Sequence, residues 1–337
     1  LWIGTNNGLN VFNRKSGIFH SFLHDPSDTG SISNNRVTSL LHDKNNKLWI
    51  GTRNGINSVT KTNNGGILFH KHLLNLKTDK TSPENEISFL FQDSKSRIWT
   101  SIRGQGLIQL KPDSGFFHHY YHDELNHYSI SGNNIDCIEE SDKGELWLYD
   151  RYSGINRLIP ETGIFYHYNN SPIMKEVLGP LDRVLSIEKD RKGNLWFGTT
   201  NTFYVYNQRK NEIIYSGKIN AIPGYRPVKD QAVSIYEDPT GIVWVAYGDF
   251  GIEMYDPNQD KFSKWYIPFK IDDQYRDYLT SMIYLNEDDI WFSTWEGGLI
   301  HTNEKGDIYK RYINTGSLQQ LSNNNIISLV KDHKGKL

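Results

Sequence analysis

One tryptophan-centred segment recurs through this chain at an almost constant interval, and that recurrence limits the possible folds more than any other feature. The anchors are Trp2, Trp49, Trp99, Trp147, Trp196, Trp244 and Trp291. Their spacings are 47, 50, 48, 49, 48 and 47 residues. Each lies in a similar frame, such as LWIGTNNGLNVFN from Leu1, LWIGTRNGINSVT from Leu48, IWTSIRGQGLIQL from Ile98 and IWFSTWEGGLIHT from Ile290. Self-similarity at roughly 40 to 50 residues marks a unit that cannot bury its own faces and must stack on copies of itself.

Each repeat parses into four strands. A short apolar run comes first, as at Val37 to Leu41, Ile135 to Ile138, Val184 to Ile187 and Val233 to Tyr236. A polar turn leads to the Trp strand, and a Gly-containing turn leads to a third strand such as Gly8 to Phe12. An aromatic fourth strand follows, as in FHSF from Phe19 or FYHY from Phe165. Composition agrees: the chain has only three alanines, Ala221, Ala232 and Ala246, and Ala is the best helix former. Seven such units predict an all-β, seven-bladed β-propeller of four-stranded antiparallel blades, a single propeller over residues 1–337.

The ends predict how the ring closes. IISLVKDHKGKL stops at Leu337 one residue before the next Trp is due, and the chain starts at Leu1-Trp2. The C-terminal strand should therefore be the innermost strand of a blade completed at the N-terminus, formed by 326–337 plus 1–24. Such closure hides a sheet edge. A chain that begins and ends inside a motif is also expected to be part of a longer one.

The frame N-x-x-I-x-S-L-x-x-D-x-x-G-x-L-W-I-G-T-x-x-G-L resembles the two-component regulator propeller repeat. Asn35 to Ile56 and Asn325 to Leu337 carry it, as does Asp190 to Thr199 in its core. Thr202 departs from it at the turn Gly, and Ala246 and Ser293 depart at the Gly of the GT step. The resemblance implies the periplasmic sensor region of a hybrid two-component histidine kinase of Bacteroidetes type. It further implies a glycan-derived oligosaccharide ligand, an adjacent propeller and an immunoglobulin-like domain in the same parent chain, a homodimeric receptor, and a kinase outside this chain.

Other classes find little support in the residues. A formal charge of −2 supplies no basic stripe for nucleic acid. Cys137 is a single cysteine and reads as a small buried residue rather than a nucleophile. No apolar run approaches the roughly 18 residues of a membrane span. His118, His119 and His122 alternate across a strand and its exit, so only part of the set could converge on a metal. No metal, cofactor or catalytic residue is assigned. The seven tryptophans read as inter-blade packing. The turns from Asp190 to Trp196 and from Asp238 to Trp244 resemble the Asp-box of sialidases, with one residue's difference in spacing, and read as side-chain caps of tight turns.

The candidate ligand or interface residues are those that break the repeat. In the turns after the Trp strand they are Arg103 and Gln105; Asp150, Arg151 and Tyr152; Asp249 and Phe250; Trp295 and Glu296. Rings stack on sugar faces, and guanidinium or carboxylate groups grip hydroxyls. Three unlike inter-blade segments add Tyr225, Arg226 and Arg276. The related loops HDPSDTGSISNN from His24, HDELNHYSISGNN from His122 and QQLSNNN from Gln319 read as a shared structural turn. Two alternatives to a sensor stay open. One is a propeller glycoside hydrolase or polysaccharide lyase, for which Asp150, Asp249 and Glu296 are the acids to test. The other is a purely structural scaffold.

Overall fold

The computed structural model describes residues 1–62, 66–72, 85–111, 116–168, 183–200, 202–217, 232–247, 251–266, 278–317 and 319–331. Its strands form seven four-stranded antiparallel sheets. Blade 1 contains β28 (Ile326–Val330), β1 (Trp2–Thr5), β2 (Gly8–Asn13) and β3 (Ile18–Phe22), in that order outward from the axis. Blade 2 is β4 (Val37–His42), β5 (Leu48–Thr52), β6 (Gly55–Lys61) and β7 (Ile67–His72). Blade 3 is β8 (Ile87–Gln92), β9 (Ile98–Ile102), β10 (Leu107–Lys111) and β11 (Phe116–Tyr120). Blade 4 is β12 (Ile135–Glu140), β13 (Leu146–Asp150), β14 (Gly154–Ile159) and β15 (Ile164–His167).

Blade 5 is β16 (Val184–Lys189), β17 (Asn194–Thr199), β18 (Phe203–Asn207) and β19 (Glu212–Gly217). Blade 6 is β20 (Ala232–Glu237), β21 (Val243–Tyr247), β22 (Gly251–Asp256) and β23 (Lys261–Tyr266). Blade 7 is β24 (Tyr278–Asn286), β25 (Asp289–Trp295), β26 (Leu299–Thr302) and β27 (Ile308–Tyr312). The seven innermost strands touch in sequence, β4 to β8 to β12 to β16 to β20 to β24 to β28 and back to β4. The fold is a closed seven-bladed propeller, and β28 pairs with β1, with Trp2 opposite Val330 and Ile3 opposite Leu329.

The core lies between blades rather than within one. Trp2, Leu9 and Val11 of blade 1 bury against Val37, Leu40, Leu48 and Ile50 of blade 2. The same arrangement places Trp49 and Ile56 against Ile87, Leu90 and Ile98. Both faces of every Trp strand are covered, so β5, β9, β13 and β21 are buried at every position. That explains why these segments read as continuous apolar runs. Each indole contributes about 1.5 to 3 kcal/mol by burial.

The turn before the Trp strand is held by one aspartate with two tasks. Asp43 Oδ1 accepts the Lys47 amide at 2.8 Å, while its Oδ2 accepts the Trp49 indole N–H at 2.9 Å. Asp93, Asp190 and Asp238 hold Trp99, Trp196 and Trp244 in the same way, at 2.9, 2.9 and 2.8 Å. The aspartates of the D-x-x-G-x-L-W turns are thus caps and indole acceptors.

Innermost strands carry a bulge near their start, seen between Val37 and Ser39, Ile135 and Cys137, and Val184 and Ser186. A bulge leaves one residue unpaired and twists the strand. Thr38, Asp136 and Leu185 are such residues.

Candidate functional site

The turns after the Trp strands and the loops between blades occupy one face of the ring, because backbone hydrogen bonds join them. Within a blade, the turn amides of Asn6, Arg53, Arg103, Arg151 and Thr200 donate to the carbonyls of Asn325, Arg36, Glu86, Asn134 and Arg183. Each acceptor stands just before an innermost strand. Between blades, the amides of Gly8, Gly55, Gly106 and Gly298 donate to Asn35, Asn85, Asn133 and Asn324. Gly106 has φ +82°, and a Cβ there would run into the Tyr120 carbonyl, so this turn demands glycine.

This lattice puts arginines at one equivalent turn position in three consecutive blades: Arg53, Arg103 and Arg151. Arg103 Nη1 is 3.7 Å from Glu86 Oε2, and Arg36 Nη2 is 3.9 Å from Glu86 Oε1. Two guanidiniums therefore flank one carboxylate at distances beyond a hydrogen bond. Arg151 binds Asp136 with both prongs, at 2.8 and 2.9 Å. Those hydrogen bonds hold the Arg151 guanidinium still more firmly in its charged form.

Asp150 and Gln105 occupy the same face but play different parts. The Asp150 side chain is fully buried. It accepts the amides of Asn134 at 2.6 Å, Tyr152 at 2.9 Å and Ser153 at 2.7 Å. It stands where other blades place a Thr hydroxyl, as at Thr52, which takes the Asn54 amide at 3.0 Å. Gln105 is buried, and its Oε1 has no partner among the described residues. Tyr152 stands 78% exposed beside Arg151.

In blade 7, Trp295 is half-buried at the end of β25, and Glu296 is exposed with φ +78°. The structure brings Arg103, Gln105, Asp150, Arg151 and Tyr152 onto adjoining blades 3 and 4, apart from Trp295 and Glu296. Asp249, Phe250, Tyr225, Arg226 and Arg276 lie outside the described residues.

Two features of this face escape a reading of each turn alone. Arg53 sits in a segment, GTRNG, that follows the repeat and so looks unremarkable. Its register with Arg103 and Arg151 becomes visible only when the three frames are aligned. Exposed rings also occur in these turns and loops: Tyr121, Tyr128 and Tyr152 are 59%, 60% and 78% exposed, with Leu125 between the first two in sequence at 94%. The histidines near them serve the backbone. His119 Nε2 meets the Gln105 carbonyl, and His122 Nδ1 meets that of Ile130 at 2.8 Å. Cys137 lies on β12, and burial pushes its thiol pKa upward, which keeps it an unreactive thiol at neutral pH.

The three related loops share one construction. The amides of His24, His122 and Asn314 each donate to a later Asn, namely Asn35, Asn133 and Asn324. Ser33, Ser131 and Ser322 each donate an amide to a third-strand Asn, namely Asn57, Asn156 and Asn10.

Comparison with known proteins fits this architecture. The family model described as two component regulator propeller matches residues 31–54 and 179–201. A search of curated protein sequences finds no match. Among solved structures, one described as the extracellular domain of a hybrid two component system from B. thetaiotaomicron has a TM-score of 0.69 at 20% identity, covering 89% of this chain and 38% of its own. Another, described as the extracellular domain of a one component system from the same organism, has a TM-score of 0.60 at 19% identity, covering 93% and 48%. Virginiamycin B lyase from Staphylococcus aureus has a TM-score of 0.60 at 15% identity, covering 83% and 85%.

The chain thus spans less than half the length of either extracellular domain, and structures of this similarity include both such extracellular domains and an enzyme. Among the described residues, no helix is long and apolar enough to cross a membrane. The seven-bladed ring and the two segments matched by the family model make this chain a propeller that is similar, over those segments, to the two-component regulator propeller repeat.

Proposed function

We propose that this propeller is the ligand-sensing part of a periplasmic receptor region, and that it takes an oligosaccharide on the turn face of blades 3 and 4. The observation that carries this reading is the conjunction there of Arg103, Arg151, the buried Gln105 Oε1 and the exposed rings of Tyr121 and Tyr152. Exposed rings offer flat apolar surface to a pyranose, while planar guanidiniums bind oxygen pairs. The signal would pass to a histidine kinase outside this chain, within a homodimer in which an adjacent propeller and an immunoglobulin-like domain complete the receptor. Ligand could act only through a difference in affinity between two receptor geometries.

Calorimetric titration of the propeller with a panel of oligosaccharides tests the binding step. The expected result is saturable heat with at least one sugar, weakened about tenfold by Tyr152→Ala or Arg103→Ala, since each removes a ring or charged contact. Release of cleavage products, lost in Glu296→Gln, would instead establish the hydrolase or lyase reading. No heat with any sugar would leave the scaffold reading. Asp150 is a poor acid for that chemistry, because three amides already occupy its carboxylate.

A further inference from the structure

We infer that Asp150 is a positioning residue of this site, which presets the exposed ring of Tyr152 for a sugar; this rests on the sugar-binding reading above and specifies how its contact is held. Thr5, Thr52 and Asp150 share one register position in blades 1, 2 and 4. Each stands opposite the first residue of an innermost strand and opposite a third-strand glycine. Blades 1 and 2 close this corner with two separate side chains. Thr5 and Thr52 take the amides of Asn7 and Asn54 at 3.1 and 3.0 Å. Asn323 and Asn34 take the amides of Asn325 and Arg36, just before the innermost strand, at 2.8 and 2.9 Å.

Blade 4 has Gly132 where those asparagines stand, and Asp150 does both tasks. Its Oδ1 accepts the amides of Tyr152 and Ser153 at 2.9 and 2.7 Å, and its Oδ2 accepts that of Asn134 at 2.6 Å. The two changes require each other. A Cβ at position 132 would come within 2.6 Å of Asp150 Oδ2 and of Ser153 Oγ, an overlap that forces neighbouring atoms to shift. The fold itself does not demand the exchange, since blades 1 and 2 close the corner without it. What differs is the grip on the turn. A buried carboxylate takes three amides where Thr52 and Asn34 together take two, and charge-assisted hydrogen bonds are about twice as strong as neutral ones.

The turn gripped in this way carries Tyr152, whose ring is 78% exposed. Exposed side chains ordinarily hop between rotamers. Here the side chain is tied as well as the backbone. The Tyr152 hydroxyl interacts with the Arg151 guanidinium, which Asp136 holds with two hydrogen bonds of 2.8 and 2.9 Å. Asp150 itself is fully buried, so it acts on a ligand only through the residues it holds. Ordering a loose side chain weakens binding, and a ring fixed in advance avoids that loss.

The test is a double-mutant cycle read by calorimetric titration, with melting temperatures taken alongside. The probe is whichever of maltotetraose, cellotetraose, xylotetraose, mannotetraose and trigalacturonic acid binds the propeller most tightly. Asp150→Thr combined with Gly132→Asn installs the arrangement of blade 2 and should keep the fold. It should weaken binding about three- to tenfold, yet cost nothing further in a Tyr152→Ala background, because it acts through that ring. Asp136→Asn loosens the support from the Arg151 side without touching the turn's amides, and should show the same dependence on Tyr152. It therefore reports on the ring even if the paired exchange fails to fold. The reverse exchange in blade 2, Thr52→Asp with Asn34→Gly, should leave binding unchanged. Losses that persist undiminished in the Tyr152→Ala background, or an unweakened paired exchange beside a weakened Tyr152→Ala, would overturn the positioning role and leave the sugar-binding reading standing. No binding of any of the five sugars would remove both.

Discussion

At the scale of the residue, the indole nitrogen of Trp147 shows what the repeated aspartate does by lacking it. Ser141 holds the position of Asp43, Asp93, Asp190 and Asp238. Its Oγ accepts the Glu145 amide at 3.2 Å, so the turn is still closed. The shorter side chain offers nothing to the indole, and Trp147 Nε1 is buried without a partner among the described residues. Blade 7 solves the same problem differently. Leu285 occupies the equivalent position, and Asp289 takes the Trp291 N–H at 2.6 Å while bonding His301, which stacks on the same indole at 4.1 Å. An unpaired buried N–H costs about 1 to 3 kcal/mol. Ser141→Asp should therefore raise the melting temperature by about 2 °C or more, whereas Asp190→Ser should lower it by a similar amount. Calorimetric melting of the two variants checks both signs, and a fall in the first would mean that the carboxylate cannot reach the indole.

The inter-blade loop is the element in which local sequence and long-range structure are most tightly coupled. Loops ending at blades 1, 2 and 4 carry a Ser that binds the buried Asn10, Asn57 or Asn156. The corresponding residues in blades 3, 5, 6 and 7 are Ile108, Tyr204, Glu253 and Ile300. Asn156 also donates to Ser131 Oγ at 2.8 Å, so its amide is used in both directions. Asn156→Ala should cost about 1 to 3 kcal/mol in chemical unfolding. Amides of residues 122–134 should lose hydrogen-exchange protection, while those of the loop at 24–35 should keep theirs. Blade number, strand order and ring closure were readable from sequence because a single period imposes them and every blade repeats the same burial. The site was only partly readable. Asp150 and Arg151 look alike as polar departures from the repeat, yet one caps a turn and the other faces an acidic partner. What separates them is depth, which the neighbouring blade sets and local sequence does not reveal. Arg53 was hidden for the opposite reason, since the residues around it conform to the repeat.

On the scale of the whole molecule, ring closure brings the innermost strands together and forces side chains from different blades into a narrow shared space. Glu139 on β12 and Glu188 on β16 stand at the same level, each opposite the Trp of its own blade, Trp147 and Trp196. Burial pushes both carboxyls above the ordinary glutamate value of 4.5. Glu140 adds repulsion at Glu139, and Glu139 and Glu237 add it at Glu188, while Lys189 counters the shift at both. The sign of the stability effect follows by linkage. The folded ring binds protons at these sites at pH values where the unfolded chain has released them, so their contribution is fully present below about 4.5 and is lost as pH rises through the folded values. Glu139→Gln keeps the shape and hydrogen-bonding capacity but removes the charge. The variant should match the parent protein near pH 4.5 and exceed its melting temperature by about 3 °C or more at pH 8, so that its melting curve depends less on pH between the two. Equal shifts at both pH values would show that packing, and not the ionisation of an acid enclosed by the ring, sets the difference.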